Sequence, residues 1–92
     1  MTSQAVTVVN QLGMHARAAA KFVHLATRYE SRVKVARDAR EIDGKSIMGI
    51  LLLAAARGTP LLIVTEGDDE ETALAALCAL VEGGLGEEPC NA

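Results

Sequence analysis

Aromatic residues are nearly absent: there is no tryptophan, one phenylalanine (Phe22) and one tyrosine (Tyr29) in 92 residues. A core must then be built from Ala, Val, Leu and Ile. Bases would find almost nothing to stack on. Positive charge is also scarce. Nine Lys and Arg against twelve Asp and Glu leave a net charge of −3, so no basic field exists for nucleic acid. Long apolar runs are missing too. The run Ile50 to Ala56 falls far short of the roughly 20 residues a membrane helix needs. No charged segment followed by an apolar one marks a secretory signal. Cysteine is limited to Cys78 and Cys90, without CxxC spacing. A core thiol and a tail thiol in a reducing cytoplasm are expected. With His15 and His24 they lack metal-ligand spacing, so neither a metal nor a cofactor is expected.

What is present describes one small domain. Ninety-two residues suffice for one core and not for two. Ala5 to Val9 alternates and is β-branched, a strand pattern. Asn10 to Gly13 is a turn. From Ala16 the period changes, and Ala19, Phe22, Val23 and Ala26 mark one helical face ending near Thr27 to Tyr29. Val33 to Val35 and Arg40 to Ile42 form a hairpin around Asp38 and Ala39. Ser46 is placed to cap a second helix carrying Ile47, Ile50, Leu51 and Ala54, with Gly58 as its stop. Leu61 to Thr65 reads as the fourth strand. Asp68 or Asp69 caps a third helix, with Glu70 and Glu71 favourable to its dipole. Ala73, Leu74, Leu77, Leu80 and Val81 give that helix its buried face, and Gly83 and Gly84 end it. The order β-α-β-β-α-β-α predicts an α+β sandwich with helices on one face of a mixed or antiparallel sheet. The domain is expected to span residues 1–86, with residues 87–92 a disordered tail.

His15 is the strongest candidate for chemistry. It lies where a turn meets the first helix, beside Arg17. The first helical turn leaves backbone N–H groups unpaired, and the helix dipole adds positive charge. Such a place suits phosphate and favours a neutral, nucleophilic imidazole. Arg17 could grip phosphate oxygens with its fork of donors. His24 has no loop or arginine beside it and reads as a surface residue.

Gly44, Lys45 and Ser46 resemble the end of a nucleotide-binding loop, but Ala39 stands where that motif needs glycine. Nucleotide binding by this route is rejected. What remains is a capping serine where a phosphate would be tolerated at a helix N-terminus. Ile47, Met48, Leu51 and Leu52 are more apolar residues than one short helix can bury. They predict either a wide core stripe or an exposed partner surface.

Two stretches carry a family resemblance. Asn10, Gln11, Leu12, Gly13, Met14, His15, Ala16 and Arg17 resemble the phosphohistidine motif of HPr, the phosphocarrier of the bacterial phosphotransferase system. Asp43 to Gly49 resembles the second signature of that family, at the matching separation. The likeness covers roughly residues 5 to 85. It implies an open-faced β-sandwich: a four-stranded antiparallel sheet covered on one face by three helices. It implies that His15 accepts phosphate on Nδ1 from phosphorylated enzyme I and passes it to an EIIA-type protein. It implies phosphate binding by Arg17, and modification of Ser46 by an HPr kinase/phosphorylase. Met14, Ala16, Ala20, Ile47, Met48 and Leu51 fall where the family docks partners. Such a chain is a carrier rather than a stand-alone enzyme, in either the sugar or the nitrogen-related branch, and a monomer by default.

One position departs from the family. Ala18 stands where proline usually follows the His-Ala-Arg triplet. Alanine keeps helix propensity and adds an N–H, so somewhat more freedom around His15 is expected. Two other readings compete. One is a regulatory binding module, controlled through Ser46 with transfer lost. The other is a small-ligand domain without phosphate chemistry, for which no apolar pocket signal is present.

Overall fold

A computed structural model describes residues 1–86. The expected tail at 87–92 and Cys90 lie outside the described residues. Seven elements run in the predicted order: β1 (Thr2–Thr7), α1 (Ala16–Ala26), β2 (Arg32–Arg37), β3 (Arg40–Asp43), α2 (Ile47–Leu52), β4 (Pro60–Glu66) and α3 (Glu70–Glu82). The strands form one sheet in the order β1-β4-β2-β3, and every neighbouring pair is antiparallel.

Alternation along the strands decides which face is covered. Val6 pairs with Leu61, and Val35 with both Ile63 and Ile42. These inward residues meet Ala18, Phe22 and Ala26 of α1, Ile50 of α2, and Leu77, Cys78 and Val81 of α3 in one core. The alternate positions Ser3, Ala5, Lys34 and Leu62 face outward and are exposed. The result is an open sheet with three helices on one face. Phe22, Leu61, Ile63 and Leu77 are fully buried, each contributing about 1.5–3 kcal/mol of transfer free energy. Burial, then the nearby Glu82 charge, pushes the Cys78 thiol up.

Several boundaries differ from the sequence expectation. β1 starts at Thr2 rather than Ala5, because the seven-residue β4 offers partners as far as Thr65. Polar residues cost an edge strand little when they face water. α2 stops at Leu52 with Leu53 as its cap, and Ala54 turns left-handed at φ +50 instead of continuing the helix. Gly58, at φ +90, helps return the chain into β4 rather than ending α2.

Asp69 is the N-cap residue of α3, but its carboxylate makes no cap bond. It reaches across to accept the backbone N–H groups of Glu30 and Ser31, each at 3.0 Å, and the Ser31 hydroxyl. The start of α3 is thereby tied to the α1–β2 connection. These bonds, the Ser31 hydroxyl first and then the Glu30 N–H, hold the Asp69 carboxyl below the usual carboxylate range.

A carboxyl depressed in the folded state stabilises above its unfolded value, and that stability is lost as pH falls through the folded one. Asp69→Asn is therefore expected to flatten the acid limb of stability below about pH 4. Circular-dichroism melts across that range check this; an unchanged acid limb would contradict it. Gly44 donates its N–H to the Val33 carbonyl at 2.7 Å, and a Cβ there would overlap Val33 Cγ1. Gly44→Ala is expected to cost about 1–3 kcal/mol in a urea titration.

Candidate functional site

The site begins where β1 runs out. Val8 is still held, donating to the Thr59 carbonyl at 3.0 Å and accepting from Gly58 N–H at 2.7 Å. The chain then turns. Asn10 is buried, and its Nδ2 donates to the Gly13 carbonyl at 2.7 Å while Gly13 N–H returns to the Asn10 carbonyl at 3.1 Å. Gly13 has φ +68, and a Cβ there would lie 2.6 Å from the Ala55 carbonyl oxygen and 2.9 Å from Ala56 Cα. Only glycine fits both demands. Met14 N–H then donates to the Ala55 carbonyl at 2.8 Å.

His15 follows as the N-cap of α1, with extended backbone (φ −77, ψ −179). Its carbonyl accepts the Ala19 N–H at 2.8 Å, the first helical bond. Its ring Nδ1 accepts the Arg17 N–H at 3.2 Å, so the imidazole does the work usually done by a serine or aspartate oxygen. A nitrogen that accepts a hydrogen bond presents a lone pair; the neutral ring then carries its proton on Nε2. The ring is half-buried, and Arg17 is exposed.

The buried stripe Ala18, Ala19, Phe22, Val23 and Ala26 sets the roll of α1. That roll leaves Ala16, Arg17 and Ala20 in solvent. The first turn contains no acidic residue to cancel the dipole. Ala18 is fully buried, and α1 still begins at Ala16, so the turn forms without proline. The Nδ1 lone pair therefore faces the positive N-terminus of α1, a place that suits an anion.

Ser46 caps α2, its Oγ accepting Gly49 N–H at 3.1 Å. Lys45 does not turn toward it: its Nζ donates to the Tyr29 carbonyl at 2.7 Å. α2 packs beside α1. Ile47 is 42% exposed and Met48 68%, while Leu51 is half-buried against the core. Leu52, at 59%, completes this apolar surface. Leu12, in the His15 turn, is 71% exposed; as a single apolar residue in a polar turn it carries no periodic signal. Met14, expected on the docking surface, is only 4% exposed and sits in the core, its N–H bonded to the Ala55 carbonyl. His24 is exposed on α1.

Among the described residues, no group of three or more His, Cys, Asp or Glu could hold a metal ion, and no helix is long and apolar enough to cross a membrane.

A family model for the HPr component phosphorylation site of the phosphotransferase system matches residues 2–83. The phosphocarrier protein HPr of Pseudomonas aeruginosa is 48% identical over 88 residues, covering 95% of this chain and 98% of that protein. Its counterpart in Cupriavidus necator is 45% identical over 87 residues, again covering 95% and 98%. Among solved structures, HPr-C-His from Thermoanaerobacter tengcongensis superposes with a TM-score of 0.91 at 41% identity, covering 96% of this chain and 99% of that one. A full-length match of this kind, on a fold whose first helix is capped by the motif histidine, means that the chain belongs to the HPr family of phosphocarrier proteins.

Proposed function

We propose that His15 accepts a phosphoryl group on Nδ1 from phosphorylated enzyme I and passes it to an EIIA-type protein. One observation carries this reading: Nδ1 accepts the Arg17 N–H, so its lone pair is directed at the N-terminus of α1. In each transfer the Arg17 N–H releases the Nδ1 lone pair, the Nδ1–P bond forms as the donor's bond to phosphorus breaks, and the reverse occurs on delivery. The carrier supplies position and charge stabilisation, through the helix N-terminus and Arg17. It is not a stand-alone catalyst. Ala16, Ala20, Ile47, Met48 and Leu51 supply the docking surface, from two helices packed side by side. A small apolar contact of this kind suits partners that must separate quickly. The chain acts as a cytoplasmic monomer, in either the sugar or the nitrogen-related branch.

Regulation falls to Ser46. Its hydroxyl sits at a helix N-terminus, where a phosphate from an HPr kinase/phosphorylase adds about −1.5 to −2 charge without breaking α2. That charge would stand next to Ile47 and Met48 and disturb docking rather than folding.

Incubation with a cognate enzyme I and phosphoenolpyruvate is expected to add one acid-labile phosphoryl group by intact mass, lost in His15→Ala. Absence of label on the wild-type chain would contradict the carrier reading and leave the regulatory module in its place. With a cognate kinase and ATP, an acid-stable phosphate lost in Ser46→Ala is expected. Ser46→Ala also removes the bond to Gly49 N–H and is expected to lower stability by about 1 kcal/mol in urea, whereas Ser46→Asp keeps the cap.

A further inference from the structure

We propose that Arg37, at the end of β2, is a positioning residue for His15, acting through the segment Leu53–Ala55; this rests on the carrier reading above. α2 has no basic residue in its own last turn. The hairpin supplies the missing cations. Arg37 Nη1 donates to the Leu53 carbonyl at 2.6 Å and the Ala54 carbonyl at 2.9 Å, and Arg40 Nη1 to the Leu52 carbonyl at 2.8 Å. A cation at a helix C-terminus satisfies carbonyls that the helix cannot.

The second of those carbonyls belongs to a residue under strain. Ala54 holds φ +50, a left-handed conformation that its Cβ disfavours. Something outside the residue must hold it there, and Arg37 grips the carbonyls of the two peptide groups that flank the Ala54 Cα. Ala55 comes next, and its carbonyl receives Met14 N–H at 2.8 Å and bounds the space at Gly13. His15 follows Met14 directly. The path from the guanidinium to the phosphorylated ring therefore runs through one strained residue and one backbone hydrogen bond. If Ala54 relaxed, the Ala55 carbonyl would swing, and the turn carrying His15 would lose its footing.

Ala54→Gly supplies the discriminating variant, because glycine adopts the left-handed conformation without help. Phosphoryl transfer from phosphorylated enzyme I is measured for the wild type, Arg37→Ala, Ala54→Gly and the double variant. Arg37→Ala is expected to lower the maximal transfer rate roughly tenfold with little change in KM, since the exposed residues of α1 and α2 are untouched. The double variant is expected to recover most of that rate. In parallel, nuclear magnetic resonance is expected to show the Met14 and Arg17 amides and the His15 ring nitrogens shifted in Arg37→Ala and returned in the double variant. Wild-type rate and wild-type resonances in Arg37→Ala would overturn the proposal. So would a loss that Ala54→Gly does not restore. If the wild type takes no phosphate, the carrier reading fails, but the resonances still decide the coupling of Arg37 to His15. Should Arg37→Ala not fold, Arg37→Lys keeps the charge without the planar fork and carries the same two measurements.

Discussion

The hydrogen bond from Met14 N–H to the Ala55 carbonyl joins the two halves of this molecule's working end. On one side lies the turn that leaves β1; on the other, the segment that leaves α2. Neither is regular structure, and each would be mobile alone. The bond at 2.8 Å and the close approach of Gly13 to Ala55 and Ala56 lock them together, while the buried Asn10 closes the turn on itself. Burial of the Met14 side chain then draws the turn against the core. A phosphate carrier needs an exposed acceptor on a rigid support, because in-line transfer tolerates little misplacement. The accessible part here is the half-buried ring of His15 with the exposed Arg17 beside it; the support is everything that fixes Met14.

Electrostatics adds direction to that support. The N-terminus of α1 offers positive charge with no carboxylate in its first turn. The imidazole uses that field by accepting the Arg17 N–H. In the proposed relay, the ring is oriented by the group that would face the phosphate. Elsewhere charge serves the scaffold. Arg37 and Arg40 close the end of α2, and Asp69 ties the start of α3 to Glu30 and Ser31.

Much of this could be read from the chain. Period-two alternation in Val33 to Val35 and the helical spacing of Ala19, Phe22, Val23 and Ala26 depend on local geometry alone, so element order and the covered sheet followed. The places of His15, Arg17 and Ser46 at two helix starts were legible because a turn, a helix start and a motif coincide there. Three features were not. Met14 looks like a loop residue, and only its tertiary bond to Ala55 makes it core. Ala54 continues the helical pattern, yet two arginines far away in sequence terminate the helix before it. Asp69 has the right residue type for a cap, but Ser31 and Glu30 offer its carboxylate better donors. In each case a hydrogen bond to a residue distant in sequence, invisible to periodicity, outweighed local preference.

The proposed relay turns on one atom, His15 Nδ1. Nitrogen-15 resonances of the histidine rings, recorded before and after treatment with enzyme I and phosphoenolpyruvate, decide it. Before treatment His15 Nδ1 is expected to appear as a hydrogen-bond-accepting nitrogen with the proton on Nε2. After treatment, phosphorus coupling to Nδ1 of His15 and no change at His24 are expected. Phosphorus on Nε2 of His15, on His24, or on neither ring would contradict it.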